Sequence, residues 1–127
     1  VKLGQLYLQN GKSDDLQILS TDWIDKATTM QIYPGGDYYG YLWWLTENGY
    51  LALGLGGQII AVFPNQQLVI GSHSYTYSNN NHFSNLMDII FSMIFPIFDI
   101  SSNSFNYQIS IEDIKNIYNT SILREIK

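Results

Sequence analysis

The spacing of apolar residues changes along this chain, and each change marks an element. Near the start, Val1, Leu3, Leu6 and Tyr7 recur at helical spacing. Asn10-Gly11 supplies the stop, since glycine takes the left-handed position after a helix without a Cβ clash. No Ser, Thr, Asp or Asn precedes the run to cap it, so the helix is expected to be cut in its middle and the chain to be the C-terminal piece of a longer protein. Residues 12–19 read as a polar loop. Ser20 or Thr21 then caps a helix from Asp22 to Thr28, with Trp23, Ile24 and Ala27 on its apolar side.

From Tyr38 to Ser74 the period shortens to that of strands. Tyr39–Leu45, Tyr50–Leu55, Ile59–Phe63 and Gln67–Ser72 are expected strands, separated by turns at Glu47-Asn48-Gly49 and Pro64-Asn65. In the first, both alternating faces are apolar, which places it inside a sheet covered on both sides. Between the second and third lies Gly54-Leu55-Gly56-Gly57-Gln58. Such glycine spacing suits a backbone that leaves the β region or approaches something closely. A hairpin bend with no ligand is the plain alternative.

Ser78–His82 reads as a linker, followed by Phe83, Leu86, Met87, Ile90, Phe91 and Ile94 at helical spacing, a helix that packs on the sheet. Pro96 should end or kink it. The apolar run is too short, and too interrupted by Asp88, for a membrane span. Beyond a loop, Ser110 and Asp113 form a capping box ahead of Ile111, Ile114, Ile117 and Tyr118, a second amphipathic helix. The pattern as a whole predicts one α+β unit, an antiparallel sheet of three to four strands flanked by helices.

Charge and composition narrow the chemistry. With 6 Lys+Arg against 11 Asp+Glu the net charge is −5, and no basic run offers a nucleic-acid footprint. The absence of cysteine excludes disulfides and thiolate metal sites, and His73 and His82 lack metal-ligand spacing, so no metal or other cofactor is expected. Trp43 and Trp44 read as core, and His73 as a half-exposed strand residue. Tyr38, Tyr39 and Tyr41 read as aromatic sheet packing, and Asp14-Asp15 and Glu112-Asp113 as solvated or helix-start acids.

YGYLWWL, then ALGLGGQIIAVFP, then LVIG resembles the C-terminal region of the serine β-lactamase/penicillin-binding-protein superfamily, in particular its esterase and 6-aminohexanoate-dimer hydrolase branch. LGQLYLQNG and ILSTDWIDKATT look like the two helices that precede this ribbon. The resemblance implies that residues 1–98 are the C-terminal part of a β-lactamase-like α/β domain, a partial transpeptidase-like fold, with 99–127 an added tail. The family's nucleophile and base come from S-x-x-K. This chain has none, the nearest match being Ser121-Ile-Leu-Arg124, whose arginine stays protonated. Tyr77-Ser78-Asn79 matches Tyr-x-Asn only by chance of position. Ala52-Leu53-Gly54 aligns with the K-T-G strand, its lysine and threonine replaced. The Leu55 backbone N–H would then form half of an oxyanion hole, with Ala52, Leu53, Gly54, Gly56, Gly57 and Gln58 against the substrate. The implied reaction is hydrolysis of an ester, amide or β-lactam through an acyl-serine, often outside the cytoplasm. This chain alone should be inert, and apolar surface facing the missing half should favour self-association. The alternative is a non-catalytic binding or assembly module that retains the ribbon.

Overall fold

The computed structural model describes residues 1–31, 38–54, 56–74 and 85–98. Leu55, Pro34-Gly35-Gly36, Tyr77-Ser78-Asn79, the linker Ser78–His82, Phe83 and everything from Asp99 onward lie outside the described residues. The expected capping box at Ser110 and the Ser121–Arg124 near-motif are among them.

Helix α1 (Lys2–Leu8) forms as its spacing predicts. Its end is a Schellman motif: the Gly11 N–H donates to the Leu6 carbonyl (2.8 Å) and the Asn10 N–H to that of Tyr7 (3.1 Å). The left-handed C′ residue is therefore Asn10 (φ 52°), with Gly11 following it (φ 81°), a shift of one from the sequence expectation. Residues 12–19, expected as a loop, instead hold a small hairpin of β1 (Lys12–Ser13) and β2 (Leu16–Gln17), turned by Asp14-Asp15. Asp14 takes φ 51°, which a short polar side chain tolerates. Helix α2 (Thr21–Ala27) is capped by Ser20, whose hydroxyl accepts from the Trp23 N–H, with Asp22 in its first turn.

The main sheet is a four-stranded antiparallel meander in the order β3-β4-β5-β6, built from Trp44–Thr46, Gly49–Leu53, Ile59–Phe63 and Leu68–Ser72. Together with the helices it makes an α+β fold. The second expected strand stops at Leu53 rather than Leu55, and the fourth starts at Leu68 rather than Gln67; the first needs the larger correction. Tyr39–Leu45 is not one strand but a tight reversal: Tyr39 bridges Trp44, and the Leu45 N–H reaches the Tyr38 carbonyl. Gly40 lies so close to the end of α2 that a Cβ there would sit 2.0 Å from the Ala27 carbonyl oxygen. The Tyr41 N–H donates to that same carbonyl, and Leu42 takes φ 66° to bring the chain back. Seven apolar residues in a row hid a turn that carries no turn residue except Gly40.

Both faces of the sheet are covered. On one, α1 and α2 enclose Tyr7, Ile24, Ala27, Trp43, Tyr50 and Val62. On the other, a helical segment over residues 85–98 (α3) buries Met87, Ile90, Phe91 and Phe95 against Leu51, Ile59, Ala61 and Phe63. The chain's own helices thus occupy both sheet faces, so the apolar surface expected toward a missing half is not a sheet face among the described residues. The exposed stripe of α1 is confined to Val1 and Leu3; its buried positions are Gly4 and Tyr7. Within α3 the middle, Ile89–Ile94, is π-helical, with the Phe95 N–H donating to Ile90, before α-helix resumes over Phe95–Phe98. Pro96 neither ends the helix nor leaves it regular. Its ring would clash with the carbonyl four residues back, and a widened preceding turn relieves that. No helix among the described residues is long and apolar enough to cross a membrane.

Candidate functional site

The glycine bend closes the β4–β5 hairpin. Leu53 and Ile59 form the last ladder pair. Beyond them the Gly54 N–H donates to the Gln58 carbonyl (2.8 Å) and the Gly57 N–H to the Gly54 carbonyl (3.1 Å). Gly57 sits at φ 84°, the left-handed residue that such a short loop uses to rejoin its strand. The Gln58 side chain then folds across the bend. Its Oε1 accepts from the Gly56 N–H (3.0 Å), and its Nε2 donates to the Ser74 carbonyl (3.1 Å). The Ser74 hydroxyl returns the link by donating to the Gly57 carbonyl at 2.9 Å. A Cβ on Gly54 or on Gly56 would lie 2.7 Å from the Gln58 amide group. The close approach anticipated from the sequence is made, therefore, to a side chain of the protein itself.

This clamp sets the wall of a cleft of about 610 Å³ at the ends of β4, β5 and β6. Ala52, Leu53, Gly54 and Gln58 line it, so four of the expected substrate-binding residues meet in one place. Gly56 and Gly57 do not reach it; both are buried in the bend. Ile59 and Ile60 extend the apolar wall, Ser72 and His73 stand at the end of β6, and Tyr39, Leu42 and Val1 complete the rim. His73 is exposed and lies one residue past the strand, a little freer than the half-exposed position expected for it. Leu42, Ser72 and Ser74 went unmarked in the sequence. Ser74 is 16 residues from Gln58, and no local pattern joins them.

The remaining candidates are structural. Trp43 is buried at 3% exposure, with its ring 4.7 Å from that of Tyr7 and 5.0 Å from that of Tyr50. Trp44 turns to the opposite face and meets Tyr39 edge-on at 4.6 Å. Tyr41 stacks on Trp23 at 5.6 Å. Burial, helped by the neighbouring Tyr7, pushes the Tyr50 phenol up to about 12. That residue stands outside the cleft. Among the described residues, no group of three or more His, Cys, Asp or Glu could hold a metal ion.

Chemically the arrangement offers an apolar wall and a pinned hairpin. Among the described residues of the bend, the N–H groups of Gly54, Gly56 and Gly57 are all engaged within it. Compared with known proteins, the chain matches no protein-family model, and no curated protein matches it.

Proposed function

We propose that this chain is the C-terminal portion of a β-lactamase-related serine hydrolase whose nucleophile and base lie outside these residues. In the intact enzyme the serine oxygen attacks the carbonyl carbon of an ester, amide or β-lactam. The bond to the leaving group breaks, the leaving group takes up a proton, and water then hydrolyses the acyl-serine. The Leu55 backbone N–H is assigned to the carbonyl oxygen, beside the nucleophile's own N–H. The observation that carries this reading is convergence: Ala52, Leu53, Gly54 and Gln58, which the family resemblance assigns to the substrate, line one cleft. The Gly54, Gly56 and Gly57 N–H groups are bonded within the bend, which gives the reading a well-held hairpin to build on.

A second reading is favoured by the Gln58 clamp. That clamp accounts for Gly54 and Gly56 with no ligand at all, as a binding or assembly module retaining the ribbon would require. The two are separated by treating the intact parent protein with a fluorophosphonate or fluorescent penicillin and locating the adduct by mass spectrometry. The hydrolase reading expects one labelled serine upstream of residue 1, and none when this 127-residue chain is treated alone. An unlabelled parent supports the module. Self-association of the isolated chain is assigned to the outer side of α3, where Ile89, Met93 and Ile97 are exposed. A single monomeric species by sedimentation at high concentration would remove it.

A further inference from the structure

We infer that the cleft at the ends of β4, β5 and β6 receives an uncharged, apolar acyl group, and that Leu42 is the residue that determines this preference. The inference takes from the hydrolase reading only that the group is an acyl group; what it asserts about the cleft is binding, not turnover.

Charge supplies the first argument. Among the described residues, the cleft is lined by no Lys, Arg, Asp or Glu side chain, and the chain's net charge of −5 opposes an anionic group. The ionisable groups there, the Val1 amino group and the His73 imidazole, stand on the rim and past the end of β6, and a carboxylate moved from water against Ala52, Leu53, Ile59 and Ile60 loses its hydration. The polar inventory supplies the second. Gln58 is the one side-chain amide in the wall, and each end of it already makes a hydrogen bond, Oε1 with Gly56 and Nε2 with Ser74. A charged ligand bonded through Gln58 would compete with the hairpin clamp.

Leu42 supplies the third. Its φ of 66° is one that a residue with a Cβ disfavours, and the side chain is left 79% exposed. The turn that imposes this is held on both sides, by the Gly40 N–H donating to the Trp43 carbonyl and the Tyr41 N–H to that of Ala27. A leucine held in an unfavourable conformation, in water, gains no packing to offset the strain in the free protein. Positioned on the rim of an apolar cleft, it gains that packing when an apolar group lies beneath it.

The test is titration of the 15N-labelled chain with three probes, followed by the amide resonances of Ala52, Leu53 and Ile60. The probes are N-butylhexanamide, hexanoate and hexylammonium. The neutral amide should shift those resonances saturably, with each ion bound at least about 10-fold more weakly. Leu42→Gly removes the side chain and relieves the strain, so the fold persists while affinity for the amide falls by about 5-fold or more. Leu42→Met keeps the apolar reach and should stay within about 2-fold of the native affinity. Hexanoate binding as tightly as the amide, Leu42→Gly binding undiminished, or no saturable shift with any probe would overturn the inference. A cleft that takes the amide in a protein whose parent is never acylated leaves the inference standing and removes the hydrolase reading. An acylated parent whose cleft prefers hexanoate does the reverse.

Discussion

The two covered faces of the main sheet are built by different means. Against α3, the buried residues are Leu51, Ile59, Ala61, Phe63, Met87, Ile90, Phe91 and Phe95, a core of hydrocarbon and one thioether with no titratable group. Phe63 anchors it, with its ring 4.5 Å from that of Phe95 and 5.9 Å from that of Phe91. Against α1 and α2, the core is a cluster of Tyr7, Trp43 and Tyr50 beside Val62. There the helix comes in so close that a Cβ on Gly4 would lie 2.7 Å from methyl groups of Ile60 and Val69. One face is thus filled by large apolar side chains and tolerates a widened helical turn. The other is closed by proximity, and its buried Tyr50 phenol makes it sensitive to pH. The candidate cleft opens at the ends of the strands, where both faces contribute: Ala52 and Ile60 pack with the α1 side, Leu53 and Ile59 with the α3 side.

The largest expected break is on the α3 face. Phe63→Ala leaves a cavity between sheet and helix, and denaturant melts should show a loss of about 3–5 kcal/mol. On the α1 face the weakness is overpacking rather than a void. Gly4→Val drives the helix off Ile60 and Val69, costing about 2–3 kcal/mol in the same melts.

Alkaline titration sharpens the contrast. The fold holds the Tyr50 phenol protonated up to about 12, while the unfolded chain ionises it near the ordinary 10.0. Above the unfolded value the native state therefore binds more protons, so stability falls with rising pH. The contribution is complete below pH 10 and is lost between roughly 10 and 12, amounting to up to about 2 kcal/mol. Tyr50→Phe should flatten this loss, whereas Phe63→Ala should leave its slope in place. The smallest effect is at the α2 cap, where Ser20→Ala removes the acceptor for the Trp23 N–H and should cost about 1 kcal/mol.

How far the sequence foretold this arrangement depended on the range of the forces involved. Local periodicity placed both N-terminal helices, and the third strand matches Ile59–Phe63 at both ends. Short-range capping chemistry narrows the cap to Ser20 or Thr21, and Ser20 is the one used. What it could not express was contact between distant segments. The run from Tyr39 to Leu45 alternates like a strand, and only the approach of Gly40 to the α2 terminus turns it back. Gly4 carried no hydrophobic signal, so the buried stripe of α1 was drawn one position off. The glycine bend is legible as a close approach, but its partner is not: the sequence puts Gln58 against a substrate, whereas its tie to Ser74 spans the whole β5–β6 hairpin.

The account stands on the assignment of one main-chain donor. Semisynthesis of the intact protein with an ester in place of the Leu55 amide removes that N–H and keeps the side chain. If the donor stabilises the reacting carbonyl, kcat for ester hydrolysis falls by about 10²–10³ with KM little changed. A kcat within about two-fold of the native value would contradict the account.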